Sequence, residues 1–372
     1  MQHKNWNYFT DEISGSLGDL GTFLPYIIGA IVIGGLDATG VLLSFGLMYI
    51  FTAWFYRMPM PVQPMKIIGA AVIIHHLSQG EIAAAGLMTA FTLFFLALTG
   101  LAEKLSRITP AAITYGIQAG LGLSLAILGI KFIRSDLTLG LPILLIMLLL
   151  FDNKKLPASI IAVVGGTILA FILHPALNFP DVTIGFYLPQ FTWPQMMDFQ
   201  RGFALAFLPQ IPLTLTNSIL LTAVLAKDLY PDQSKRVTEK NLCLTLGIGN
   251  LLAMPLGGFP MCHGSGGLAA HYRFGGRTGL TLIIIGVFLF LTAVLLGPAG
   301  VDFLKLIPQP VLGGLLFFSG VDLIRGVNKI ESPDSRFTFA VVVVATLAVN
   351  PAIALLAGVL LVFLLQRKWI RI

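Results

Sequence analysis

The sequence has little charge and almost no cysteine. Charged residues make up 11% of its 372 positions, whereas 56% are hydrophobic; a soluble domain carries about a quarter charged residues. A water-soluble protein of this size would lack the polar surface needed to cover itself. This shortage excludes a soluble enzyme, a nucleic-acid-binding protein and a secreted module. At about 20 residues per helical span, the length instead accommodates about 14 membrane crossings.

The sequence contains two cysteines, Cys243 and Cys262, which form no CxxC motif. Without a His/Cys cluster at metal spacing, they predict neither a disulfide framework nor a zinc site. We therefore expect no catalytic residue, no metal site and no cofactor. The polar N-terminus lacks an apolar core, which predicts that the chain has no cleavable signal peptide.

Apolar runs bounded by glycine, proline or charge predict an all-α polytopic membrane protein. With the N-terminus inside, four of the 23 lysines and arginines fall in outer loops, Lys66 lies within a span, and the others face the cytoplasm. This bias follows the positive-inside rule and places both termini in the cytoplasm of a cell-membrane protein. The spans are expected near 13–33, 39–56, 61–77, 82–100, 110–130, 137–151, 156–174, 202–226, 241–256, 260–272, 279–297, 308–325, 336–349 and 352–366.

The two halves of the chain repeat weakly but in order. ITPAAITYGIQAGLG (108–122) matches LIPQPVLGGLLFFSG (306–320), and FLPY (23–26) matches FLPQ (207–210). PVQPMK (61–66) occupies the slot filled later by FPMCHG (259–264). Each half, 1–200 and 201–372, then holds seven spans. Because seven is odd, the second repeat must enter the membrane upside down.

Two predicted spans are interrupted at corresponding positions. Three prolines within PMPVQP (59–64) prevent helix in the first part of span three, and glycines do the same in span ten. Extended backbone cannot face lipid, so these segments must line a protein or water cavity. Interrupted helices at matching places in two inverted halves are the best sequence indication of a transport site.

The charge expected at this site favours an anion. Each half-helix N-terminus presents free N–H groups and about half a positive charge. Lys66, on the first turn of one half-helix, adds a unit, so the site carries roughly +2 and suits a small dianion. Lys66 could instead extend to the cytoplasmic surface or pair with Asp19.

The candidate substrate-binding residues lie in the two interrupted segments and in the first and eighth spans. Asp19 and His263 are the candidates for proton coupling, because an acid within a span is functional by default. Several polar candidates could equally be structural, Asp19 could be a helix cap, and Cys262 could be a small packing residue. The substrate-binding candidates are Thr22, Gln63, Pro64, Met65, Lys66, Gln210, Thr214, Asn217, Cys262, His263, Gly264, Ser265 and Gly266.

Three segments resemble the signatures of the molybdate transporter family, relatives of the sulfate permeases that lack the STAS domain. They are SGSLGDLGTFLP (14–25), PMPVQPMKIIGA (59–70) and GGFPMCHGSGGLAAHYRFGGRTG (257–279). The resemblance implies a uracil permease-like and sulfate permease-like fold with a core domain from about 13–100 and 202–297 and a gate domain from about 108–175 and 306–366. Sulfate permeases carry a basic residue inside the tenth-span half-helix; here the first is Arg273, and Lys66 would supply that charge.

The resulting hypothesis is a secondary-active molybdate importer that works by alternating access, with a proton as the coupling ion. Tungstate and sulfate share the charge and shape of molybdate, so the sequence does not separate them. A nucleobase permease on the same fold is the first alternative, although FLPQIPLTLTNSILL (207–221) lacks an acid to bind a base. An anion channel and an intramembrane hydrolase using Ser265 and His263 are less favoured. The oligomeric state, a homodimer included, stays open.

Overall fold

The structure is a computed structural model and describes residues 5–102, 110–150, 158–174, 184–325 and 330–370. The predicted inner loops that carry Lys104, Arg107, Lys154 and Lys155 lie outside these residues. Within these residues the regular secondary structure is helical, except for one pair of two-residue strands.

The first half contains eight helices and one strand within its described residues. Asp37 starts α3 by accepting hydrogen bonds from the amides of Thr39 and Gly40. Ser78 and Glu81 form a capping box at the start of α5. The elements are α1 Asn5–Leu17, α2 Leu20–Val32, α3 Ala38–Tyr56, β1 Gln63–Pro64, α4 Lys66–His75, α5 Gln79–Thr99, α6 Ala111–Ile133, α7 Leu137–Leu150 and α8 Ala158–Leu173.

The second half begins with a long helix, α9, that runs over Asp198–Leu229. Pro209 and Pro212 lie within it and remove two backbone donors, and π-helical turns occupy Gly202–Phe207 and Thr214–Leu221 on either side. A 3₁₀ turn, Ser234–Arg236, follows. The other elements are α10 Glu239–Ala253, β2 Met261–Cys262, α11 Ser265–Arg273, α12 Leu280–Lys305, α13 Gln309–Ile324, α14 Pro333–Ala348 and α15 Pro351–Gln366.

The helices follow the predicted spans in order, with a difference at the first. Residues 13–33 form two helices, α1 and α2, bent by 47°, and Asp19 lies between them. In the described part of the chain, five helices are long and apolar enough to cross a membrane, or six if this bent pair is one span. Other apolar helices are shorter, with 10–17 residues. The count of fourteen spans therefore stays a prediction.

The two strands come from the two segments that the sequence aligned. They pair antiparallel, with Gln63 opposite Cys262 and Pro64 opposite Met261. The side chain of Asn250 on α10 holds β2 in place: it accepts from the Met261 amide and donates to the Met261 carbonyl, both at 2.9 Å. An inverted two-fold relation between the halves, which stays a prediction, would pair equivalent segments antiparallel in this way.

Buried apolar side chains form two clusters. The first cluster joins α3, α5, α9, α10, α11 and α12 with one side of α2 and α4. The second cluster joins α6, α7, α8, α13, α14 and α15 with the other side of α2 and α4 and with Leu213 of α9. Helices α2 and α4 therefore contribute side chains to both clusters. The N-terminal ends of both helices lie beside β1.

Candidate functional site

Two short helices begin beside the strand pair. Strand β1 leads into α4, whose first residue is Lys66. Strand β2 leads into α11, whose first residue is Ser265. Residues Met65 and Gly264, which precede the two helices, are extended. Because the strands are antiparallel, the helices leave in opposite directions with their N-termini on the same short sheet, and their first N–H groups lack intrahelical partners.

A compact polar cluster joins the α1–α2 break to β1. Thr22 donates to Oδ1 of Asp19, and Nε2 of Gln63 donates to Oδ1 of Asp19 at 2.5 Å and to Oγ1 of Thr22 at 2.6 Å. Asp19 and Gln63 are buried, with 2% and 1% exposed. No described residue hydrogen-bonds to Oδ2 of Asp19 or to Oε1 of Gln63. The cluster thus places two acceptor oxygens inside the protein without a donor among the described residues.

The glycines at the start of α11 make this approach possible. A Cβ at Gly264 would overlap Oε1 of Gln63, and a Cβ at Gly267 would lie 2.6 Å from Oδ2 of Asp19. Any larger residue would push the Gln63 and Asp19 side chains away from α11. The glycine-rich sequence here therefore permits close contact between α11 and the polar cluster.

Helix α9 supplies polar side chains to both short helices. Oε1 of Gln210 accepts from the Ile67 amide in the first turn of α4 at 3.0 Å, and its Nε2 donates to Thr214. Asn217 accepts from the hydroxyl of Ser265 at 2.6 Å. Gln210 therefore satisfies one of the N–H groups that the sequence assigned to the anion.

His263 is tied to protein groups at both ring nitrogens. Nδ1 lies 2.7 Å from the carbonyl oxygen of Pro61, which can only accept, so Nδ1 carries the proton. Nε2 lies 2.9 Å from the hydroxyl of Thr245. The side chain is fully buried. The sequence placed His263 at the site as an anion donor and proton carrier; the structure instead directs its ring into the protein, where it joins β2 to α10 and to the segment before β1.

The predicted substrate-binding residues separate into two groups by exposure. Lys66 is half-buried and lies close enough to Asp19 for electrostatic attraction. The reachable members are Thr22, Lys66, Asn217, Ser265 and Gly266. The buried members, which include the coupling candidate Asp19, are Asp19, Gln63, Pro64, Met65, Gln210, Thr214, Cys262, His263 and Gly264.

One residue that the sequence did not single out lies at the same place. His271 is two turns along α11, is fully buried, and interacts electrostatically with Asp19. Its Nδ1 lies 2.8 Å from the carbonyl oxygen of Gly15 on α1. The sequence signal that could have identified His271 is a histidine within a short glycine-rich helix. Its electrostatic interaction with Asp19 depends on the α1–α2 break, which the sequence did not predict.

The family model described as "Molybdate transporter of MFS superfamily" matches residues 11–125 and 202–323. The chain belongs to the molybdate transporter family. It is a family of transporters and not of enzymes, and the matched regions contain every candidate site residue named above. Two relatives in Arabidopsis thaliana, Molybdate transporter 2 and Molybdate transporter 1, are each 31% identical over 97% of this chain and 88% of their own length.

The fold is also similar to that of a solved anion transporter. The transmembrane domain of the cyanobacterial bicarbonate transporter BicA superposes with a TM-score of 0.72 and 22% sequence identity, over 96% of this chain and 98% of that domain. This likeness shows a sulfate permease-like membrane fold. The polar cluster, the strand pair and the N-termini of α4 and α11 are thus features of a membrane transporter.

Proposed function

We propose that this protein imports molybdate across the cell membrane by alternating access, with both termini in the cytoplasm. The carrying observation is that the N-termini of α4 and α11 meet at the strand pair with Lys66 beside them. The names of its relatives support molybdate as the substrate, with tungstate and sulfate as competing ions. The fourteen-span arrangement in two inverted repeats, 1–200 and 201–372, is part of this proposal.

The reachable residues are the ones that bind the anion. The ammonium of Lys66 is a donor, and Gly266 and Ser265 supply backbone N–H groups at a helix N-terminus. The hydroxyls of Thr22 and Ser265 border the site, but their protons are donated to Asp19 and Asn217. Asn217 offers its amide. The buried polar residues hold these anion-binding residues in position. They are Gln63, Gln210, Thr214, Cys262 and His263.

We assign the two apolar clusters to the two domains that move relative to each other. In this proposal the core domain, from about 13–100 and 202–297, contains the first cluster. The gate domain, from about 108–175 and 306–366, supplies most of the second cluster. Because α2 and α4 contact both clusters, sliding between the clusters moves the start of α4 relative to the gate. This geometry supports a core that carries the anion past the gate.

The test is ligand-dependent thermal stabilisation of the purified protein. Molybdate and tungstate should raise the melting temperature in a saturable way, and phosphate and uracil should not. Stabilisation by uracil alone would overturn the proposal in favour of a nucleobase permease.

Lys66 is the residue whose loss should matter most. Removing the ammonium from a half-buried site should weaken molybdate binding at least about tenfold, or about 1.4 kcal/mol, in Lys66→Ala. Lys66→Arg should retain part of the affinity, because the charge is kept. Lys131→Ala, at an exposed position near the end of α6, is the matched control. Unchanged molybdate affinity in Lys66→Ala would remove Lys66 from the site.

A further inference from the structure

Asp19 and His271 each have one polar atom that no described residue hydrogen-bonds. These atoms are Oδ2 of Asp19 and Nε2 of His271, and we call them the two open acceptors. Both side chains are buried, with 2% and 0% exposed. Burying a polar group without a hydrogen-bond partner costs free energy. Two such groups in electrostatic contact therefore need an explanation.

The tautomer of His271 explains why Nε2 is an acceptor. The carbonyl oxygen of Gly15 can only accept, so Nδ1 of His271 must carry the proton of that 2.8 Å hydrogen bond. In the neutral ring, Nε2 then has a bare lone pair. Oδ2 of the Asp19 carboxylate is likewise an acceptor. Oδ2 of Asp19 lies beside Gly267, and His271 follows Gly267 by about one turn of α11. The two acceptors in this region are therefore one proton short of a satisfied pair.

We propose that Asp19 and His271 together form a single proton-binding site that is coupled to the anion site. A proton taken from the medium forms an N–H bond at Nε2 of His271, and Oδ2 of Asp19 is the acceptor that faces it. When the proton leaves, both atoms return to being open acceptors. The proposal rests on the proposed function, because the coupled ligand is the anion.

Electrostatics links the proton to the anion. With Asp19 ionised and His271 neutral, the charge near the two helix N-termini is roughly +1, counting Lys66 and two half-charges from the helices. One added proton raises it to roughly +2, which matches a dianion. Because Asp19 interacts electrostatically with Lys66 as well as with His271, a proton bound to the pair should tighten molybdate binding.

Two further charged groups near the pair already have hydrogen-bond partners. The Glu12 carboxylate on α1 accepts from the amides and hydroxyls of Thr278 and Thr281 at the start of α12. Arg277 donates to the Tyr272 and Gly276 carbonyls. The remaining groups that face Asp19 or the α1–α11 contact are Tyr49, Cys262, Asp11 and Tyr230.

Two variants should abolish the pH dependence while changing the molybdate affinity in opposite directions. In Asp19→Asn the amide keeps an acceptor for Gln63 and Thr22 and can donate to Nε2 of His271, so the site is fixed in a state of higher positive charge. In His271→Asn the side chain can still donate to Gly15, but the proton-binding nitrogen is gone and Asp19 stays ionised. A merely structural role would not give effects of opposite sign.

The experiment measures the dissociation constant for molybdate by calorimetry on purified full-length protein at about pH 6 and about pH 8, the range in which a histidine titrates. The wild type should bind more tightly at the lower pH, by up to about tenfold per pH unit. Asp19→Asn should bind tightly at both pH values, and His271→Asn weakly at both.

His174→Asn is the matched control, since His174 also pairs with a carboxylate, that of Asp136, at 2.8 Å but near the surface. Hydrogen bonds from Thr138 and His174 lower the pKa of Asp136 to about 2, so it stays ionised throughout this range. The control should keep the wild-type pH response.

Retention of the wild-type pH response by both Asp19→Asn and His271→Asn would overturn the proton site while leaving molybdate transport intact. An absence of saturable molybdate binding by the wild type at either pH would instead overturn the proposed function. If His271→Asn fails to fold, Asp19→Asn decides alone, because a pH-independent tight state is expected only if the pair binds the proton.

Discussion

Gly264 sits where the backbone of α11 begins and has no room for a side chain. A Cβ there would overlap Oε1 of Gln63, and Gln63 cannot swing away freely because Asp19 and Thr22 hold its amide. Gly264→Ala should therefore displace Gln63 and weaken molybdate binding at least about tenfold, or about 1.4 kcal/mol, as measured by calorimetry. In Gly165→Ala, where no described atom lies within 4 Å of the added Cβ, affinity should not change. Equal affinities in both variants would contradict this account.

His263 and His271 are eight positions apart in the sequence but differ in what their rings contact. His263 has a hydrogen-bonding group at each nitrogen, Pro61 at one and Thr245 at the other. His263→Ala should therefore leave the buried Pro61 carbonyl without its donor and cost about 1–3 kcal/mol of stability. The melting temperature should fall, while the molybdate affinity that remains keeps its dependence on pH. A lost pH response in His263→Ala would restore His263 as a coupling residue.

Helices α6 and α13 touch through glycines that the two halves share. Gly122 and Gly320 are equivalent in the repeat, and a Cβ on either would overlap the backbone carbonyl of the other. Gly129 and Gly313 meet in the same way. Small residues let helix backbones approach closely in a membrane, where packing rather than the hydrophobic effect drives association. The two helix backbones are therefore in close contact at two points.

Gly320→Ala should force α6 and α13 apart. The new Cβ would lie 2.8 Å from the backbone nitrogen of Ala126, and backbone cannot yield as a side chain can. Overpacking of this kind costs about 1–3 kcal/mol, so the melting temperature of the purified protein should fall. Gly165→Ala on α8 is the matched helical control and should be neutral or slightly stabilising, because alanine favours helix. A neutral Gly320→Ala would mean that the helices can separate without loss.

The sequence predicts the elements better than it predicts their contacts. Proline and glycine break helices locally, so the segments around Gln63 and Cys262 could be recognised as interrupted, and the structure pairs them. The break beside Asp19 was not predicted, because Gly18 and Gly21 lie in an otherwise continuous apolar run. Hydrogen-bond partners join residues far apart in the chain. Neither the engagement of both His263 nitrogens nor the proximity of His271 to Asp19 could therefore be predicted from local pattern.

At the scale of the whole molecule, importing a dianion is an uphill process. An inside-negative potential of about 100 mV opposes each negative charge by about 2.3 kcal/mol, so two charges cost about 4.6 kcal/mol. The proposed proton-binding pair, Asp19 and His271, lies beside the proposed anion site. If each cycle carries one molybdate and one proton, the moving charge is one negative unit. The opposition from the potential is then halved rather than abolished.

The number of protons per molybdate can be measured as accumulation in vesicles of purified protein. At zero membrane potential and with the outside more acidic by one pH unit, one proton per cycle gives about tenfold accumulation, and two give about a hundredfold. We expect the tenfold value, because Asp19 and His271 share one proton. An inside-negative potential of about 100 mV should then lower accumulation by about 2.3 kcal/mol, or about fiftyfold. The amide of Asp19→Asn stands in for the protonated state of the pair and cannot release a proton. This variant should therefore exchange molybdate across the membrane without accumulating it. Accumulation by this variant that still follows the pH gradient would show that the coupling proton binds elsewhere.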